Sequence, residues 1–109
     1  MAAKIDELRQ LLIDGHIEKF NRQRPRGEAV DLRGLDLRHT DLRTLDTDGL
    51  DLGNCHLRQV DLRGLDLRNC NLEGASIASA RISGTYFPSE LSAEEISLSL
   101  QHGTRMRYR

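Results

Sequence analysis

From Val30 onward the chain can be written in fives without losing register: VDLRG, LDLRH, TDLRT, LDTDG, LDLGN, CHLRQ, VDLRG, LDLRN, CNLEG, ASIAS, ARISG, TYFPS. No other feature constrains the fold as strongly. The third position reads Leu32, Leu37, Leu42, Thr47, Leu52, Leu57, Leu62, Leu67, Leu72, Ile77, Ile82, Phe87. The first is small or aliphatic, the second mostly Asp and the fourth often Arg. Positions one to four alternate apolar and polar, the period of an extended segment with one face buried. The fifth favours Gly, Asn, Ser or Thr, which accept a bend and restore the phase. Each five residues therefore make one short side and one corner, with the first and third side chains inward. The string VDLRGLDLR occurs at Val30–Arg38 and again at Val60–Arg68. An offset of six units suits a stacking unit, not a duplicated active site.

Over Val30–Gly84 these units resemble the pentapeptide repeat family, whose pattern is small–Asp/Asn–Leu–any–any; eleven consecutive units hold register. The resemblance implies an all-β solenoid, a right-handed quadrilateral β-helix with four pentapeptides per coil. One departure is plain. The family prefers Ala at the first position, which this chain reaches only at Ala75 and Ala80, so the early coils are expected to be slightly wider or less regular than the family norm. With four units per coil, residues twenty apart stack. The inward columns are then Leu32/Leu52/Leu72, Leu37/Leu57/Ile77, Leu42/Leu62/Ile82 and Thr47/Leu67/Phe87. Parallel strands lie ~4.8 Å apart, so about three coils stand ~14 Å tall. Phe87 is expected to be the lid of this core. Thr47 is its one polar member, with its hydroxyl bonded to nearby backbone.

Open ends of such a stack expose unpaired backbone groups and need caps. Three regions are expected: an N-terminal helical cap over 1–29, the repeat over 30–88, and a C-terminal capping helix with a basic tail over 89–109. Residues 3–13 place Ile5, Leu8 and Leu12 on one helical face. Asp14–Gly15 interrupts, and Ile17 and Phe20 follow, with Phe20 over the first coil. The stretch FNRQRPRGEAVDL also resembles the aromatic–Asn lead-in of pentapeptide runs. Ser92 and Glu95 form a capping box, with Leu91 and Ile96 as its staple. A helix is predicted over Ala93–Gln101, ending near Gly103. Ile96 and Leu100 face the last coil, and Leu98 lies off that face.

Bulk composition argues against several functions. The 109 residues suit one domain. Two Phe, two Tyr and no Trp leave a core of small aliphatic contacts. Charged residues make up 30% of the chain, yet the net charge is −1, which gives no bulk attraction to nucleic acid or membrane. The segment MAAKIDELRQLLIDGH lacks the apolar stretch of a signal peptide, and no apolar run approaches a bilayer span. A cytoplasmic protein is expected. Cys55 and Cys70 are too few for a disulfide framework. Cys55 points inward while His56 points outward, so with His39 they make no metal site. DTDGLD at Asp46–Asp51 lacks a calcium loop's closing Glu, since Cys55 stands there. No nucleophile motif, phosphate loop or carboxylate pair is visible, so neither enzyme activity nor a cofactor is expected.

Function is then sought on the outside. Acidic second-position and basic fourth-position columns run side by side. The strongest patch is Arg38/Arg58 beside Arg43/Arg63, on walls adjacent around one corner. The tail HGTRMRYR carries Arg105, Arg107 and Arg109, either as solvated charge or as a contact. The favoured expectation is a non-enzymatic scaffold or adaptor that binds another protein through its charged walls or C-terminal segment. A homodimer through the C-terminal helix and Leu98 remains open, and direct nucleic-acid binding is not expected. The alternative comes from the resemblance: some family members mimic DNA and bind DNA gyrase. Such mimicry asks for a duplex-sized acidic rod. One turn of B-DNA is ~34 Å, and Val30–Gly84 holds nine Asp/Glu against seven Arg, 7 − 9 = −2.

Overall fold

A computed structural model describes residues 4–109. Two helices open the chain, α1 (Ile5–Ile13) and α2 (Ile17–Gln23). The expected helix start at residue 3 lies outside the described residues. Leu8 and Leu12 of α1 and Ile17 and Phe20 of α2 are buried against the repeat. Ile5 is not the core residue its spacing suggested; it is 42% exposed, because it sits in the first turn at the rim of the contact. The break at Asp14–Gly15 follows from Gly15, whose φ of 77° ends α1.

The expected fold class does not hold. Among the described residues, regular structure consists of α1, α2, a third helix α3 (Ala93–His102), and one small sheet. That sheet pairs β1 (Val30–Asp31) with β2 (Leu50–Asp51) in parallel, Val30 opposite Leu50. This is not an all-β solenoid, and no right-handed quadrilateral β-helix is seen. The reason is the corner every fifth residue. It leaves too little extended chain for a strand, so most sides contribute a single paired residue. Those pairs are Asp36–His56, Asp41–Asp61, Asp51–Asn71, His56–Ser76, Asp61–Arg81 and Asp66–Tyr86, all parallel.

Every one of these pairs joins residues twenty apart, so hydrogen bonding links each turn to the next tier. On the side that starts at Leu35, the His56 N–H donates to Leu35 O at 2.9 Å and the Leu37 N–H to His56 O at 2.9 Å. The next tier continues the ladder, with the Leu57 N–H donating to Ser76 O at 2.9 Å. Corners close locally, as where the Val60 N–H donates to Leu57 O at 3.2 Å. The fifth residue often turns left-handed. Gly34 does so at φ 76°, with open space where a Cβ would sit.

Nine of the third-position residues are buried: Leu32, Leu37, Leu42, Leu52, Leu57, Leu62, Leu67, Leu72 and Ile77. Ile82 and Phe87 are only partly buried, so Phe87 does not close the core as a lid. Thr47 is half-exposed rather than interior, though its hydroxyl does donate to backbone, at Asp66 O, 2.7 Å away. The cap at this end comes from α3 and the segment beyond it. Ser92 Oγ accepts from the Glu95 N–H at 3.1 Å, and Gly103 ends the helix left-handed at φ 71°. Glu95 does not complete a capping box; its carboxylate accepts the Arg107 N–H at 2.9 Å.

Two substitutions separate packing from backbone geometry. Leu57→Ala leaves a cavity between tiers and should cost ~2–5 kcal/mol. Gly34→Ala meets no neighbour and should cost only the left-handed strain, ~1–2 kcal/mol. Equilibrium urea denaturation measures both, and a smaller loss for Leu57→Ala than for Gly34→Ala would contradict the packing.

Candidate interaction surface

The outward face is built from one local device. Where Asp stands second and Arg fourth, the Asp carboxylate accepts the backbone N–H two residues on. It also pairs with the guanidinium of that same residue. At Asp61, Oδ1 accepts from Arg63 N at 3.2 Å and from Arg63 Nε at 3.0 Å, while Oδ2 takes the terminal nitrogen at 2.8 Å. The arrangement recurs at Asp31–Arg33, Asp36–Arg38, Asp41–Arg43 and Asp66–Arg68. The carboxylate thus shapes the bend, as Asx turns do, and holds its own arginine by a fork. Asn71 takes the same role without charge, accepting from the Glu73 N–H at 3.2 Å. Arg68 lies over the Tyr86 ring at 5.0 Å.

These contacts hold the carboxylates ionised. Asp31, Asp61 and Asp66 are lowered to about 2, chiefly by hydrogen bonds from Arg33, Arg63 and Arg68. Asp36 and Asp41 are lowered for the same reason. Asp61 also lies 3.4 Å from Arg43 Nε of the tier below and is the most covered of the five, its side chain 13% exposed.

The proposed arginine patch therefore divides. Arg43 and Arg63 are committed to Asp41 and Asp61, and Arg38 to Asp36. Arg58 differs, because His56 stands where the Asp would be. Among the described residues it is the one fourth-position arginine without an ion pair. Arg58 and Arg38 border an open recess with His56, Ser76, Ser79 and His102. The substitution of His56 for Asp was visible in the sequence as a break in the second-position column. The contribution of His102 was not, since it depends on how α3 docks.

The C-terminal segment is neither a solvated tail nor a free arm. The Gly74 N–H donates to Met106 O at 2.7 Å and the Met106 N–H to Ala75 O at 2.8 Å, so the segment adds to the last tier like a strand. Met106 is fully buried, and the Leu72 N–H donates to the Tyr108 hydroxyl at 2.8 Å. Alternation sends Arg105, Arg107 and Arg109 outward. Arg107 is held to Glu95. Leu98 is 43% exposed, on the face of α3 away from the core.

The two cysteines belong to the interior. Cys55 Sγ lies 3.1 Å from Leu32 O and Cys70 Sγ 2.9 Å from Thr47 O. Burial pushes the thiols up to about 11 and about 12, which keeps them protonated and unsuited to nucleophilic or ligand chemistry.

The model of the pentapeptide repeats matches residues 48–87 in eight copies. The pentapeptide units at 30–47 lie outside the match, although they carry the same Asp–Arg device. No match is found among curated proteins or among solved structures. No helix among the described residues is long and apolar enough to cross a membrane.

The paired carboxylates predict an acid response. Their folded-state values lie below the ~3.9 of a free Asp, so their contribution is present above about pH 4. It is lost as pH falls toward about 2. Urea midpoints measured from pH 7 to pH 2 should stay level and then fall in that window. Asp61→Asn retains an oxygen for the Arg63 N–H, as Asn71 does for Glu73, but loses the charge. Its fall should be shallower, and an unchanged slope would remove Asp61 from the account.

Proposed function

We propose that this protein is a non-enzymatic pentapeptide-repeat scaffold that binds another protein through the side carrying Arg38 and Arg58. The observation that carries this reading is Arg58, the one fourth-position arginine without an ion pair among the described residues. A guanidinium on a tiered backbone and free of a carboxylate is an available forked donor for a partner's acidic group. On the neighbouring side Arg43 and Arg63 are held by Asp41 and Asp61, and only Arg81 of its last tier stands without an ion pair among the described residues. The same pairing weighs against mimicry of DNA. A duplex mimic needs unbalanced negative charge, whereas Asp31, Asp36, Asp41, Asp61 and Asp66 are each matched by an arginine.

Affinity capture from native cells, followed by cross-linking, tests the scaffold. Wild-type protein should retain a stoichiometric protein partner. Retention should fall by at least about tenfold with Arg58→Glu, the scale of a lost charge-assisted contact. Arg105→Ser with Arg107→Ser should leave it unchanged. Point substitutions serve better than truncation here, because removing the tail also removes buried Met106. Retention that ignores Arg58→Glu would move the interface elsewhere.

A further inference from the structure

Below the end of α3 the surface steps inward. The recess there has a volume of about 450 Å³ and is open on one side. Side-chain size along two outward columns makes the step. The fourth-position column reads Arg38, Arg58, Ala78, and the second-position column reads Asp36, His56, Ser76. Long side chains thus stand in the lower tiers and short ones in the last. Over the short ones reaches the C-terminal end of α3. It is anchored by the Ile77 N–H donating to Ser99 Oγ at 3.0 Å and the Ser79 N–H donating to Leu100 O at 3.0 Å. His102 hangs at the rim.

The recess is lined by donors. No carboxylate is among its lining residues, and the Asp36 carboxylate beneath is forked to Arg38. A helix C-terminus carries partial negative charge, but two of its carbonyls are engaged here. Ser99 O accepts from Gly103 N at 2.8 Å, and Leu100 O from Ser79 N. Beside the Gln101 and His102 carbonyls at the helix end, the recess offers the whole guanidinium of Arg58, two imidazoles that each offer an N–H, the Gln101 side-chain amide and the hydroxyls of Ser76 and Ser79. The backbone beside it is strained in a consistent place. His39, Gln59 and Ser79, the fifth residues of this side's three tiers, are all left-handed without being glycine, at φ 66°, 56° and 56°.

We propose that this recess binds a phosphate monoester group. Donors from several directions around one small volume suit a doubly charged ligand with three terminal oxygens better than a flat carboxylate. The group could arrive on a small phosphorylated molecule or on a phosphorylated side chain. The proposal is independent of the scaffold reading: a partner could dock with no phosphate, and phosphate could bind with no partner.

The test is an amide NMR titration of the full chain at constant ionic strength. One arm uses inorganic phosphate and a second uses a phosphoserine peptide. Saturable shifts are expected at His56, Arg58, Ser76, Ser79 and His102. Arg58→Gln, an exposed position that leaves the core untouched, should weaken binding by at least about tenfold. Arg63→Gln, whose native guanidinium is committed to Asp61, should change it by less than about twofold. Tighter binding of the peptide assigns the phosphate to a side chain, and equal or weaker binding assigns it to a small ligand. Shifts that never saturate, or equal weakening by both variants, would show diffuse screening and overturn the site.

Discussion

The backbone hydrogen bond between one tier and the next, twenty residues on, sets the terms for everything else in the middle of this molecule. It requires every circuit to contain the same number of residues, or the bonds fall out of step. It also leaves the space enclosed by each tier narrow. Leucine or isoleucine at the third position fills that space from each side, and aliphatic residues, Cys or Ala at the first position fill what is left. With almost no aromatic volume to use, the core depends on many equivalent contacts. Any one leucine is therefore replaceable only by something of its own size.

A tiered stack must also satisfy its two open ends, and the two are handled differently. At the first tier, polar side chains from the helical segment reach down to the free carbonyls. Arg9 donates to Asp31 O and Arg33 O, Asn21 to Thr44 O, and Arg24 to Asp46 O. Phe20 fills the apolar centre between them. At the last tier, backbone does the same work. The segment around Met106 pairs with Gly74 and Ala75, and α3 supplies Ser99 Oγ and Leu100 O. This cap lies over the sides that begin at Cys70 and Ala75. That explains why Ile77 is buried while Ile82 and Phe87, on the other two sides, are not.

Inside and outside could be read from the sequence because the period of five assigns each residue to a face by arithmetic. The burial of Leu32 through Ile77 follows from that alone. The secondary-structure class could not, because a side interrupted every fifth residue supports inter-tier bonds without sustaining a strand. Elsewhere the misses share a cause, which is competition from a distant partner. Glu95 has the spacing of a capping box, but its carboxylate serves Arg107. Met106 sits among arginines in a stretch that reads as solvated, yet the unpaired edge at Gly74–Ala75 draws it in. Thr47 interrupts a leucine column and turns its hydroxyl to Asp66 O. Each depends on the placement of a segment that local patterning does not determine.

The charged exterior has its own logic. An Asp two residues before an Arg serves first as a turn former and then as that arginine's counterion. Repetition of the pair therefore adds charged groups without adding net charge. On a surface built this way, the unpaired guanidinium groups are found where the pairing is broken. His56 breaks it at Arg58, and the short side chains of the following tier clear space beside the released guanidinium. The same replacement at another side would free an arginine onto a flat wall. Here it does so beneath the overhang of α3, where donors from two tiers and a helix end line one recess.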